Sequence, residues 1–150
     1  MQKFITIIFI LLFSNCSGYQ PIFDSSGLTF YLKDIKIEDD TFVSRLLSKR
    51  LESLKKDTNN KPLMIKLKSF KKDNVISRDD KGDPSIFELV IEVTVELVNE
   101  TQKKNFLLKE AVNYNNNQNK FELEQYKKTL INSLTNRIAE KIILNLKEIN

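Results

Sequence analysis

The chain has 150 residues, 29% of them charged and 41% hydrophobic, with a formal net charge of +4; that is enough for one folded domain. It contains no histidine, no tryptophan and one cysteine, which excludes an internal disulfide, a Cys/His dyad, a Ser-His-Asp triad and a histidine-based zinc site, and leaves only carboxylates and lysines for any catalysis. Lysines and acids are interspersed without an arginine block, so nucleic acid is not the expected partner, whereas an anionic small molecule or lipid is compatible with the mild positive charge.

The chain starts with a short positive end, Met1-Gln2-Lys3, and then an apolar run from Phe4 to Phe13. A bilayer span needs about 20 apolar residues, so this run is too short to cross a membrane and has the length of an export-signal core. It stops at Ser14-Asn15-Cys16. A small-residue site before a lone cysteine resembles a lipoprotein processing site, with residues 1–15 as signal peptide and Cys16 as the acylated first residue of the mature chain. The site departs from the usual pattern at Phe13 and Asn15. The competing reading is an ordinary signal peptide with an incidental cysteine. Acyl chains on Cys16 would hold the domain on a membrane, because each buried CH₂ contributes about 0.8 kcal/mol and two or more chains make attachment stable.

Residues 16–27, with Gly18, Pro21, Ser25, Ser26 and Gly27, read as a lipidated tether, and residues 28–150 as the folded domain. Loose alternation predicts a strand over Phe30 to Ile37, with Tyr31, Lys33, Ile35 and Ile37 on one face. Glu38 to Thr41 supply an N-cap. Val43, Leu46, Leu47, Leu51 and Leu54 then recur at helical spacing, and Pro62 prevents the helix from continuing.

Leu63 to Phe70 predicts a second strand, and Lys71 to Pro84 a long polar loop. The clearest alternation runs from Ile86 to Val98, where Phe87, Leu89, Ile91, Val93, Val95 and Leu97 form one apolar face opposite Glu88, Glu92 and Glu96; this is the signature of a half-buried antiparallel strand. Lys104 to Tyr114 predicts a fourth strand in which Glu110 breaks the apolar face. Asn119 with Glu122 resembles a capping box. A long helix is expected from about Phe121 to Lys147, with Leu123, Tyr126, Leu130, Leu134, Ile138 and Ile142 as its stripe.

The order β-α-β-β-β-α predicts an α+β fold: a four-stranded mixed sheet with two helices packed on one face, the first two strands parallel across a helical crossover.

The opening Cys16-Ser17-Gly18-Tyr19-Gln20-Pro21, the element order, a strand ending at Asn113-Tyr114-Asn115 and a final helix with Leu134-Thr135-Asn136-Arg137-Ile138-Ala139-Glu140-Lys141-Ile142 resemble the lipopolysaccharide-assembly lipoproteins, the LptE family. The resemblance spans the mature chain. It departs in an inserted Ser17 and in Tyr19, where the family carries Phe. It implies a non-enzymatic lipoprotein on the periplasmic side of the outer membrane that plugs an LptD-type β-barrel and helps insert lipopolysaccharide into the outer leaflet, with no cofactor and no metal. A free-standing envelope lipoprotein that binds or shuttles an amphiphile is the alternative.

Lys71, Lys72, Arg78 and Lys81 are the candidate contacts to lipopolysaccharide phosphates or to the partner barrel, weighed against a merely solvated loop. Asp79, Asp80 and Asp83 lack the spacing of a calcium loop and read as a solvated turn. Glu88, Glu92 and Glu96 read as the wet side of a strand.

Overall fold

The computed structural model describes residues 30–55, 61–99 and 102–148; the leader, Cys16 and the tether to Gly27 lie outside them. In chain order the described elements are β1 (Phe30–Ile37), α1 (Phe42–Leu51) closed by a 3-10 turn over Glu52–Leu54, β2 (Lys61–Arg78), β3 (Pro84–Val98), β4 (Lys103–Asn115) and α2 (Lys120–Glu148). The sheet order is β1-β2-β3-β4. β1 runs parallel to β2, and the two later pairs are antiparallel. Both helices share one hydrophobic cluster with the inward residues of the sheet, so the molecule has the predicted α+β architecture.

The loose pattern of β1 has a specific cause. The register slips between Leu32 and Asp34, which inserts one extra residue and resets the alternation. Leu32 and Ile35, three positions apart, are therefore both buried, while Tyr31 and Ile37 are only half-buried. No such slip interrupts β3 against β4, and Leu89, Ile91, Val93 and Val95 are all at 0% exposure. Each contributes roughly 1.5–3 kcal/mol relative to the same side chain in water.

Helix α1 starts at a side-chain cap: the Thr41 hydroxyl accepts from the Ser44 N–H at 3.1 Å. Around it lies a polar knot that joins three elements. Asp39, just past β1, accepts from the Ser69 N–H of β2 at 3.0 Å and from the Ser44 hydroxyl of α1 at 2.9 Å. Thr41 and Ser69 share a further hydroxyl–hydroxyl bond. Burial pushes the Asp39 carboxyl up, but the Ser69 N–H and the hydroxyls of Thr41, Ser44 and Ser69 outweigh it and hold it below the usual carboxylate value. Ser44 is fully buried and Ser69 nearly so, and the bonds among them meet the demand that buried polar groups be paired.

Helix α2 is capped by Asn119, whose side-chain oxygen accepts from the N–H groups of Phe121 and Glu122. Glu122 binds Asn117 instead of reaching back to Asn119, so only half of the expected capping box forms. The stripe of α2 also differs at one position. Tyr126 is half exposed, and its expected place is taken by Lys127, which ion-pairs with Asp73 of β2 at 3.0 Å. Glu110, the residue that broke the apolar face of β4, does so for a partner: its carboxylate faces Lys141 and Arg137 on α2.

The largest correction concerns residues 71–84. They do not form a long loop. β2 continues to Arg78, β3 begins at Pro84, and the connection is a tight turn at Asp79–Asp83. The Gly82 N–H donates to the Asp79 carbonyl at 2.9 Å, and the Asp79 N–H to the Asp83 carbonyl at 2.8 Å. Gly82 has φ +86, the left-handed conformation that this turn needs and that glycine adopts without steric cost. Pro84 is tolerated because it is the first residue of its strand.

Candidate interaction surface

The face of the sheet away from the helices is a ladder of complementary pairs. Lys66 faces Glu96 across β2 and β3 and forms an ion pair with it, Lys109 reaches Glu92 at 3.0 Å, and Asn74 donates to Glu88 at 3.2 Å. The Glu96 hydrogen bond holds the Lys66 ammonium above its ordinary value, and the same bond holds the Glu96 carboxyl below its own. These glutamates each have a partner and none is set up as a free base. Phe70 and Leu107 rise from this polar face with 59% and 61% of their surface exposed.

The second surface is the arm formed by the far halves of β2 and β3, with β4 beside β3 as far as Ile86. β1 pairs with β2 only as far as Leu67. Past that point β2 has β3 on one side and no strand on the other among the described residues. At the base of the arm the Tyr114 hydroxyl donates to Asp73 at 3.1 Å, and Lys127 pairs with the same carboxylate. The Tyr114 ring stacks on Phe87, with centroids 5.3 Å apart and planes at 16°. Burial raises the Tyr114 hydroxyl, and the Asp73 charge raises it further. Burial alone would lower Lys127, but Asp73 outweighs it and the ammonium ends above its ordinary value.

A cleft of about 540 Å³ opens beside this trio, between the turn residues Asp79 and Asp83 and the start of α2 at Lys120. Asp73 is occupied by Tyr114 and Lys127. Asp79 accepts from the N–H groups of Lys81 and Asp83. The Asp73 and Asp79 carboxylates thus line the cleft with their partners already in place. Among the described residues no group of three or more His, Cys, Asp or Glu is placed to hold a metal, and no helix is long and apolar enough to cross a membrane.

The sequence-predicted contacts are spread along the arm. Lys71 lies on the helix side of β2 and Lys72 on the open side, both exposed. Arg78 is at the far end and donates to the Gly82 carbonyl at 2.8 Å. Lys81 is in the turn. Lys72 and Arg78 are six positions apart along the strand, about 20 Å at the usual rise, so the four cations do not form one cluster. Cys16 lies outside the described residues. Composition gave no hint of Ser69, Lys127 or Tyr114 as anchors, because their partners are remote in sequence. The one available signal was Glu110, an acid on an apolar face that demanded a cation opposite.

No family model and no curated protein matches the sequence. Solved structures do match its fold. The rare lipoprotein B of Shewanella oneidensis is similar with a TM-score of 0.65 at 15% identity, over 79% of this chain and 95% of that one. A candidate lipoprotein from Caulobacter crescentus gives 0.59 at 15% identity, over 82% and 92%. An uncharacterised lipoprotein B from Nitrosomonas europaea gives 0.54 at 11% identity, over 84% and 88%. At these identities the likeness establishes the shared fold.

Proposed function

We propose that this chain is an envelope lipoprotein, anchored through Cys16 to the outer membrane, whose domain plugs an LptD-type barrel and serves lipopolysaccharide insertion. The observation that carries the reading is the fold shared along nearly the full length of three structures described as lipoproteins or candidate lipoproteins, in a chain whose apolar leader stops at its one cysteine. The open sheet face adds support. Its Lys–Glu and Asn–Glu pairs suit a wet, polar barrel interior, where an apolar face would be out of place. No catalytic role enters this reading.

Two measurements test it. The intact mass of the mature protein from membranes is expected to show cleavage before Cys16 and the added mass of acyl chains; an unmodified cysteine removes the anchor. A tagged chain, extracted in mild detergent, is expected to copurify with a large β-barrel. Elution alone would favour a free-standing lipoprotein that binds an amphiphile.

A further inference from the structure

The open edge of β2 is a surface that the barrel reading does not use. Two hydrogen bonds fix which backbone groups face it. The Leu67 carbonyl accepts from the Glu38 N–H at 2.9 Å, and the Ser69 N–H donates to Asp39. Both therefore point into the lane that β1 occupies. Strand alternation turns the N–H and C=O of Lys71, Asp73 and Val75 the same way, but the chain has left that lane for α1 by Thr41. β1 and the Asp39 carboxylate thus fill the first part of the lane, and the part from Lys71 onward is empty among the described residues.

The side chains around this empty stretch are unusual for a guarded edge. Lysines alone protect an edge against unwanted pairing. Here Phe70, Val75 and Ile76 are 59%, 42% and 48% exposed along the same strand. Beside them a cleft of about 340 Å³, mostly apolar, is lined by Phe42, Val43, Phe70, Lys71 and Ile131; Phe42 is itself half exposed. On the open side of the strand, Lys68 and Lys72 are exposed, and no ion pair engages them or Lys71 among the described residues.

We propose that this edge takes up an extended segment of a partner protein as an added strand. Backbone hydrogen bonds to Lys71, Asp73 and Val75 would give affinity, and side-chain pockets would give selectivity. The charge and shape of the lane set the chemistry of the segment. Its side chains on the helix side meet the apolar cleft at Phe42 and Ile131. Those on the open side meet Lys68 and Lys72. The segment therefore alternates apolar and acidic residues. The inference stands on the edge alone and holds whether or not the domain sits in a barrel.

The test uses the full chain and a fluorescein-labelled hexapeptide alternating glutamate with valine or leucine, followed by fluorescence anisotropy. Binding is expected, with slowed amide exchange at Lys71, Asp73 and Val75. The same peptide N-methylated at every second amide, on its pairing edge, is expected to lose binding, since it keeps the side chains and removes the donors. The Lys68→Glu/Lys72→Glu variant is expected to weaken binding at least tenfold, and to bind a peptide with lysine in place of glutamate better than the parent does. Equal binding of the N-methylated and parent peptides overturns the added strand. Equal binding of acidic and basic peptides by the parent overturns the charge assignment. A chain that sediments as a dimer through this edge, and becomes monomeric on Val75→Pro, shows that a second copy occupies the lane and also overturns the proposal.

Discussion

From Met64 to Leu67, β2 lies between β1 and β3 with α1 above it; between Lys71 and Arg78 its one strand neighbour among the described residues is β3. The alternation runs on from Leu63 to Val75, and the register slips only beyond that point, at Ser77. On the helix side the first half presents Leu63, Ile65 and Leu67, at 7%, 0% and 0% exposure. The second half presents Lys71, Asp73 and Val75, all exposed. The change falls where the Asp39 knot ties off the β1 lane. One strand is thus a core element for half its length and an edge element for the rest, and the difference comes from its neighbours more than from its own backbone.

Substitutions that treat the halves alike break the comparison if their effects come out equal. The largest effect is expected for Leu67→Ala, which empties a fully buried site and costs about 2–5 kcal/mol. Val75→Ala in the far half is expected within about 0.5 kcal/mol of the parent. Urea unfolding measures both, and comparable losses would mean that the far half is packed like the near half.

Asp39→Ala comes next. It leaves the Ser69 N–H and the Ser44 hydroxyl without their carboxylate, at about 1–3 kcal/mol. The knot also carries a pH signature. The folded carboxyl lies below its ordinary value of 3.8, so the unfolded chain binds the proton more readily and stability rises with pH through this window. The contribution is complete above the ordinary value and is lost as pH falls through the folded one. Asp39→Asn is expected to flatten the acid limb of a stability–pH profile; an unchanged slope would remove Asp39 from it.

Tyr114→Phe sharpens the picture at the arm's base. Asp73 keeps Lys127, so the loss is expected at about 1 kcal/mol, the net worth of one hydrogen bond, with the Phe87 stack retained. A small effect is also expected for Lys66→Met on the open face. Its pair with Glu96 is partly solvated, so the urea midpoint is expected to move less than for Tyr114→Phe, and to depend less on added salt than the parent's does.

How legible these halves were depended on whether a residue's partner was local. The apolar face of β3 needs only its own period, and Phe87 to Leu97 displayed it. Thr41 caps the helix that follows it within three residues, so it could be read locally. The far half of β2 could not, because Lys71 to Arg78 carries charge on both faces and Val75 beside Ile76 breaks a period of two. Gly82 and Pro84 then suggested a loop, although they serve only a tight turn and a strand start. Tyr126 was expected inside because it falls at helical spacing between Leu123 and Leu130; Lys127 lies there because Asp73, far away in sequence, accepts its charge. The candidate cations were legible as residue types, while their dispersal along a strand follows from the hairpin's length.

That length also separates the two poles of the molecule. Phe30 pairs with Lys61, at the start of β2, and the Asp79–Asp83 turn follows its end. Eighteen residues of strand lie between, about 60 Å at the usual rise and roughly twice the thickness of a bilayer's hydrocarbon core. A chain held at its amino-terminal side would therefore present the hairpin turn at the opposite end of the sheet, so that one length of strand fixes how far the tip reaches from the point of attachment.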